Sequence, residues 1–147
     1  MRLTRFTNYS LRVLIYLGQN KDSRVTIHQI SEAYGISKNH LMKVVSNLTR
    51  SKFVAAQRGP GGGIQLNRLP EDISLNEVIS VTEKHLQALQ KSSAPELDEP
   101  DADSRLSNYL QHAVQAYLEA LGRFTLADVL EQKTDQLKLL ELNEKAA

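Results

Sequence analysis

The sequence predicts a mainly α-helical chain in which three short helices and a β-hairpin come first and a long amphipathic helix comes later. Three observations predict this order. Apolar residues recur at helical spacing up to residue 48, and β-prone runs flank a glycine-rich stretch within residues 53–66. A broad apolar stripe then occupies residues 106–121.

The charge is divided along the chain. Residues 1–68 carry eleven Lys and Arg against two acidic residues, a net charge of +9, whereas residues 69–147 carry seven against fifteen, a net charge of −8. Chance clustering of solubilising charges is the alternative, but so uneven a division favours a nucleic-acid-binding module joined to a second element. We therefore expect double-stranded DNA as a partner.

Composition excludes several classes of protein. No apolar run approaches the ~20 residues that span a bilayer, and the start MRLTRFTNYS lacks the apolar region of a secretion signal, so we expect no membrane partner and a cytoplasmic location. The chain has no cysteine, which excludes disulfides, thiolate metal sites and cysteine nucleophiles.

Helix signals divide the first fifty residues into three helices. The first begins at about residue 4 or 7 and continues to Gly18. Thr26 and Gln29 have capping-box spacing and predict a second helix that ends at Tyr34 and Gly35. Ser37 then predicts the N-cap of a third helix.

The third helix has a polar outer face. Its predicted inward residues are Leu41, Val44, Val45 and Leu48, and its predicted outward residues are Lys38, Asn39, Met42, Lys43 and Ser46. Two short helices joined by a tight glycine-bearing turn are typical of a helix-turn-helix, and a hairpin after them makes a winged helix. We expect the third helix to enter the major groove of DNA.

The glycine stretch RGPGGG, residues 58–63, has three interpretations: a nucleotide-binding loop, a plain hairpin turn, or a wing tip that reaches DNA. A dinucleotide fingerprint requires glycine where Ile64 stands, and no Gly-Lys-Ser/Thr follows, so nucleotide binding is excluded. A simple turn requires one or two glycines. The longer run favours a wing tip whose backbone approaches phosphates while Arg58 enters the minor groove.

The second half of the chain contains further helices around an acidic loop. Ser74 opens a capping-box helix that we expect to continue to about Gln90, and residues 91–104 hold two prolines and five acids and form a loop. The long helix follows from Arg105 to Gly122, with short helices at residues 125–130 and 137–142. We divide the chain into a winged helix-turn-helix domain (1–70), a connecting helix and loop (71–104), and a dimerisation helix with the C-terminal segment (105–147).

The apolar stripe of the long helix fits either packing within the chain or a dimer interface. A single winged helix covers few base pairs, and such regulators gain affinity by pairing half-sites, which favours a homodimer. The residues predicted at the dimer interface are Leu106, Leu110, Ala113, Tyr117 and Leu121.

No catalytic or metal-binding pattern is evident. The four histidines lack HxxxH or HExxH spacing, and we find no Ser/His/Asp set or paired carboxylates, so we expect no enzyme and no metal site. Of these histidines, His40 is the one placed to contact a base edge or phosphate, since it lies near the start of the third helix.

The stretches MRLTRFTNYSLRVLIYL, YGISKNHLMKVVSNL, FVAAQRGPGGGIQL and FTLADVL carry a family resemblance. From residue 1 to about 131 the chain resembles the IscR/NsrR-type (Rrf2) bacterial winged-helix transcriptional regulators, and within them the nitric-oxide-responsive NsrR branch. The resemblance implies a homodimer that binds a palindromic promoter site and usually represses transcription. The predicted DNA-binding residues are Thr26, Ser37, Lys38, Asn39, His40, Lys43, Arg58, Gly59, Pro60, Gly61, Gly62 and Gly63.

The chain departs from this family at its sensory site. Sensing members hold an iron–sulfur cluster through three loop cysteines, and NsrR-like members add a carboxylate in the first helix. Here Ser92 or Ser93 and Ser104 stand where the outer cysteines are expected, the middle cysteine has no counterpart, and position 8 is Asn8. Engineered Cys-to-Ser replacement, natural loss of the cluster and a change of sensed signal all fit, and Asn8 with the missing middle position favours natural loss.

The sequence therefore predicts a dimeric, sequence-specific DNA-binding repressor of the NsrR type, linked to nitric oxide or redox response but without a cofactor in this cysteine-free chain. The alternative is a clusterless regulator of the same family that responds to a small molecule or a protein partner. A small-molecule enzyme is a further rival, for which the sequence offers no site.

Overall fold

The computed structural model describes residues 2–91 and 102–131. Within these ranges the chain forms seven α-helices, one two-stranded sheet and a single 3-10 turn. Their bounds are α1 Arg5–Gln19, α2 Ile27–Tyr34, α3 Lys38–Arg50, β1 Val54–Gln57, β2 Gly63–Leu66, the 3-10 turn Pro70–Asp72, α4 Leu75–Thr82, α5 Lys84–Lys91, α6 Ala102–Leu121 and α7 Leu126–Leu130.

Hydroxyl caps set the starts of the first three helices. The Thr4 hydroxyl accepts from the Thr7 amide at 3.2 Å, and Thr26 forms the predicted reciprocal capping box with Gln29. Ser37 accepts from the His40 amide at 3.3 Å. Each cap satisfies an amide that the first helical turn leaves without a partner.

The three helices share one core with the hairpin. All four inward residues predicted for α3 are buried, and they pack with residues of α1, α2 and both strands. The buried residues contributed by those elements and by the loops between them include Val13, Leu14, Leu17, Val25, Ile30, Ile36, Phe53, Val54 and Ile64. This core fixes α3 relative to the hairpin, and the arrangement is a winged helix.

The hairpin is antiparallel and joined to the segment before α2. Its register runs from Val54 opposite Leu66 to Gln57 opposite Gly63. Val25 and Ile64 exchange two backbone hydrogen bonds of 2.9 and 2.8 Å, which add one bridge to the outer edge of β2. The start of α2 and the base of the wing are therefore held together.

The single helix predicted from Ser74 to Gln90 is wrong, because Glu83 divides it into α4 and α5. The Ser74 hydroxyl donates to the Asn76 side chain at 3.2 Å and makes no capping bond. At the break, Glu83 turns inward and accepts the Thr4 amide at 2.7 Å. The long-range bond to Thr4 outweighs the local preference for a continuous helix.

The C-terminal elements follow the predicted order with small shifts. Helix α6 begins at Ala102, three residues before the predicted start, and ends at Leu121, directly before Gly122 as predicted. A capping box between Thr125 and Asp128 starts α7. The predicted helix at residues 137–142 lies outside the described residues.

Helix α7 packs back onto the winged helix. Leu126 is buried in the same core as α1 and α3. Leu130 packs directly on Gly18, where an added Cβ would come within 2.4 Å of the Leu130 side chain. The division of the chain at residues 70 and 104 stays a prediction. Within the described ranges, every helix is too short or too polar to cross a membrane.

Candidate nucleic-acid interface

The outer face of α3 is polar and exposed. While its apolar row is buried, the opposite side presents cationic, amide and hydroxyl groups to solvent. The exposed residues of this face are Lys38, Asn39, His40, Met42, Lys43, Ser46 and Arg50. Apart from Met42, these side chains carry the donors and acceptors that contact phosphates and base edges.

Ser37 and His40 form a small unit at the start of α3. Besides the capping bond, the Ser37 hydroxyl oxygen lies 3.0 Å from Nδ1 of His40, and the His40 ring lies 6.0 Å from the ring of Tyr9. Both residues are exposed. They therefore have a structural role in the helix start, beside their predicted position on the DNA face.

The wing tip places Arg58 and Pro60 at an exposed turn. Gly59, Gly61 and Gly63 have positive φ angles of 93°, 70° and 149°, and a Cβ on Gly62 would come within 2.5 Å of a backbone oxygen. Turn geometry alone thus requires all four glycines. The number of glycines therefore does not distinguish a wing tip that contacts DNA from a plain hairpin turn.

Thr26 lies beside the wing rather than on α3. Its hydroxyl accepts from the Gln29 amide at 3.2 Å and donates to the Gln29 side chain at 3.0 Å, so its hydrogen-bonding capacity serves the start of α2. Thr26, Gly59 and Gly62 line one shallow depression of about 430 Å³. The structure therefore brings Thr26 beside two of the predicted DNA-binding glycines of the wing.

Few acidic groups compensate the basic half. Glu32 lies 3.3 Å from His28, and Arg68 pairs with Glu77 of α4 at 3.0 Å. Arg12 lies over the Tyr34 ring at 5.5 Å. Among the described residues, Lys38, Lys43 and Arg58 form no ion pair, so their charge is available to a polyanion.

The predicted positions of a degenerate cluster site are only partly described. Asn8 is exposed on α1, and Ser104 lies in the first turn of α6, whereas Ser92 and Ser93 fall outside the described residues. The chain has no cysteine, and the described ranges hold no group of three His, Asp or Glu side chains placed to bind a metal. The residues of this chain do not fit a thiolate-held cluster.

Helix α6 divides its apolar stripe between two environments. Val114 and Leu118 are buried with Ile79 and Leu86 in a second core cluster, and Tyr117 and Leu121 pack partly against it. The other predicted interface residues, Leu106, Leu110 and Ala113, are exposed together with Tyr109. The later part of the stripe therefore packs within the chain, and its earlier part is exposed.

A buried carboxylate that the sequence did not indicate joins the start of α1 to the junction of α4 with α5. Glu83 is fully buried; its Oε1 accepts from the Thr4 amide, and its Oε2 lies 3.2 Å from Nδ1 of His85. Burial raises the pKa of the Glu83 carboxyl, but hydrogen bonds with Thr7 and Thr4 and the neighbouring His85 bring that pKa below its ordinary value. No local pattern announces this site, since its partner lies 79 residues away.

Arg50 lies on the same exposed face of α3 as the predicted DNA-binding residues but was not among them. It lies on the exposed side of α3, seven residues after Lys43 and so nearly two helical turns along the same face. Extending the helical period to the last turn of α3 was the signal that would have included it.

Comparison with known proteins decides the family. The Rrf2 family model, described as "Iron-dependent Transcriptional regulator", matches residues 3–132. The chain belongs to the Rrf2 family. It is 42% identical to the HTH-type transcriptional regulator NsrR of Bacillus subtilis over 146 residues, which cover 98% of this chain and 100% of that protein.

Solved Rrf2-type structures share the fold. CymR, the global cysteine regulator of B. subtilis, superimposes with a TM-score of 0.68 at 23% identity, over 88% of this chain and 96% of CymR. IscR of T. potens gives a TM-score of 0.69 at 23% identity, over 88% of this chain and 86% of that chain. The Rrf2 family consists of transcriptional regulators rather than enzymes, and this chain is an NsrR homologue with a winged-helix fold.

Proposed function

We propose that the protein is a homodimeric repressor of the NsrR type that reads a palindromic promoter site with α3 and the wing and acts in the cytoplasm without an iron–sulfur cluster. The observation that carries this proposal is the exposed outer face of α3, which is cationic, presents the Asn39 amide and lies in a half-chain of net charge +9. Its apolar row is buried in its own chain, so the exposed side is free for a polar partner.

The chemistry of the face supports base readout combined with phosphate contact. The Asn39 amide is suited to adenine in the major groove, and the ammonium groups of Lys38 and Lys43 are suited to guanine or to phosphates. Arg58 at the wing tip is suited to a narrow minor groove, where the negative potential is enhanced. Base contacts supply specificity, and the surrounding cations supply affinity that falls with salt.

The exposed apolar part of α6 supports the homodimer. Leu106, Tyr109 and Leu110 are large exposed side chains on a helix whose Val114 and Leu118 are already buried within the chain. A second copy of the same helix covers such a strip with matching chemistry, and a two-fold dimer presents two copies of α3 to two half-sites.

The signal differs from that of a cluster-bearing sensor. Thiolates hold and tune iron–sulfur clusters, and this chain supplies none. A nitric oxide response routed through cysteine-held iron therefore has no ligands here. The clusterless alternative, in which a small molecule or protein partner sets DNA affinity, follows from the same observation.

The test compares the affinity for the protein's own upstream promoter DNA with that for a scrambled duplex at fixed physiological salt. We expect a ratio of about a thousand or more. The Arg58→Ala change is expected to weaken promoter binding by about 1–3 kcal/mol because one groove contact is lost. Arg123→Ala, which removes the same charge between α6 and α7, is the matched control and is expected to leave the ratio unchanged.

Two results would contradict the proposal. A ratio near one in the wild-type protein would mean that the basic half only holds DNA non-specifically. Equal losses for Arg58→Ala and Arg123→Ala would mean that net charge, and not the wing, determines affinity.

A further inference from the structure

A cavity of about 840 Å³ lies between α3 and the junction of α4 with α5. Its walls come from three parts of the fold: the N-terminal end of α1, the outer side of α3, and the segment around the Glu83 break. This volume is in the range of small-molecule sites in proteins. The cavity touches both the predicted DNA-reading helix and the segment that leads toward α6.

The cavity combines an apolar surface with positive charge. Phe6, Met42 and Val81 supply the apolar surface. Lys43 and Arg50 from α3 and Lys84 from α5 supply three permanent cations. Within the described part of the chain, these three cations form no ion pair. Two helices, α3 and α5, therefore place three positive charges around one cavity, and no described acidic side chain pairs with them.

None of the described residues that line the cavity is acidic. The nearest carboxylate in sequence, Glu83, turns away into the interior, where it is fully buried and engaged with Thr4 and His85. His85 itself lines the cavity. An anionic ligand therefore meets cations at the surface of the site, and the carboxylate of Glu83 lies behind the wall, hydrogen-bonded to the Thr4 amide.

A polar group at the wall lacks a partner. Asn47 lines the cavity, and its buried Oδ1 has no hydrogen-bond partner among the described residues. A buried amide oxygen without a donor costs free energy, and a ligand that carries an N–H or O–H group removes that cost. This observation is independent of the charge and indicates a hydrogen-bond donor on the ligand in addition to its anionic group.

We infer that this cavity is the effector site of the protein and that it binds an organic anion, a carboxylate or phosphate group on a largely apolar body that also carries an N–H or O–H donor. The cavity is larger than an inorganic ion and has apolar walls, so an inorganic ion would not fill it. Its three cations favour an anionic ligand over a neutral apolar one. The inference rests on the proposed DNA-binding function, because Lys43 belongs both to the cavity and to the predicted DNA face. An anion that pairs with Lys43 and Arg50 withdraws them from DNA phosphates, so the ligand antagonises operator binding.

Calorimetric titration of the full chain without DNA tests the site. The probes are octanoate and hexyl phosphate, which share an apolar tail but differ in headgroup, with inorganic phosphate and neutral octanamide as comparisons. We expect saturable binding of octanoate or hexyl phosphate at one site per chain, and binding of inorganic phosphate and octanamide weaker by about tenfold or more. Absence of saturable binding by both tailed anions would overturn the inference.

Substitutions locate the binding. The Arg50→Ala/Lys84→Ala double variant removes two exposed side chains, and we expect its affinity for the probes to fall by about tenfold or more. Lys84→Glu adds a carboxylate that repels the anion, and we expect a loss of the same size. The Lys21→Ala/Arg123→Ala control removes the same charge outside the cavity. Thermal melting checks that all variants fold. Equal probe affinity in the two double variants would overturn the site.

Operator titration separates this inference from the proposed function. With octanoate bound, operator affinity is expected to fall relative to the ligand-free protein. Failure of the ligand-free protein to bind its operator would refute the proposed function, while calorimetry would still report on the cavity. Tight probe binding with unchanged operator affinity would overturn the effector role. If instead no probe binds and Arg50→Ala/Lys84→Ala loses operator affinity, the cavity residues belong to the DNA-binding surface.

Discussion

Helix α3 buries its whole apolar row within its own chain, whereas helix α6 leaves much of its apolar row in solvent. In α3 the buried residues Leu41, Val44 and Leu48 are 0% exposed. In α6, Leu106 is 56% exposed and Tyr109 is 68% exposed. What remains outside therefore differs: α3 shows mostly polar and cationic groups with Met42 as the one large apolar residue among them, and α6 shows an apolar strip.

This difference indicates what each helix is available to bind. A polar, cationic helix face is matched by the phosphates and base edges of DNA. An exposed strip of large apolar residues is matched by another protein surface, since covering it removes apolar area from water. The two helices thus account for the two proposed partners, DNA and a second copy of the chain.

The largest expected effect comes from Leu110→Asp in α6. A charge on the exposed strip opposes burial, so we expect a monomer in sedimentation experiments, and operator affinity lower by a factor of about 100 or more because the two half-site contacts are no longer linked. Asn108→Asp adds the same charge at an exposed polar position of α6 and is the control. A Leu110→Asp protein that sediments as wild type would place the dimer interface elsewhere.

The next effect tests the opposite helix. Leu48→Ala in α3 creates a cavity in the closed core, and we expect the free energy of unfolding to fall by about 2–5 kcal/mol. Leu106→Ala on the exposed strip is the comparison. Urea unfolding at several protein concentrations distinguishes the two variants. The stability lost in Leu106→Ala should depend on protein concentration, because that residue acts at the dimer interface. The stability lost in Leu48→Ala should persist in the monomeric Leu110→Asp background. Equal dependence would remove the contrast between the two helices.

The winged-helix half was predictable because its signals are local. Thr26, Ser37 and Gly35 are caps that act within a few residues, and the apolar row of α3 repeats with the helical period. The break at Glu83 was not predictable in this way, because its hydrogen bond to the Thr4 amide spans 79 residues of sequence. The same holds for α6, where periodicity gives one stripe but cannot tell which part Ile79 and Leu86 cover.

Glu83 links the start of α1 to the junction of α4 with α5, and its charge is expected to stabilise the fold. Because its pKa is lowered in the folded protein, the stabilisation is present above the ordinary carboxyl value and is lost as pH falls through the folded value. Glu83→Gln should lower the free energy of unfolding by about 1–3 kcal/mol at neutral pH, and the difference from wild type should shrink in acid. Urea unfolding across this pH range measures it.

A second readout is Tyr117 of α6. Burial raises the pKa of the Tyr117 phenol, and the negative charge of Glu83 raises it further. Ultraviolet titration of Glu83→Gln should therefore show a Tyr117 pKa closer to its ordinary value, while Glu119→Gln, at an exposed position of α6, should leave it unchanged. In the urea experiment, a stability difference between Glu83→Gln and wild type that does not vary with pH would show that Glu83 acts only by packing.

The smallest expected effect separates two roles of Ser37 at the start of α3. Its hydroxyl caps the helix, so Ser37→Ala should lower the free energy of unfolding by about 0.5–2 kcal/mol, whereas Ser37→Asp retains a cap and places a favourable charge at the positive end of the helix. On the DNA face the order reverses, because an aspartate repels phosphate. We expect Ser37→Asp to fold as stably as wild type in urea and yet bind the operator more weakly than Ser37→Ala. Wild-type operator affinity in Ser37→Asp would mean that the start of α3 faces away from the phosphate backbone, and that the polar face of α3 acts through its later turns, around Lys43.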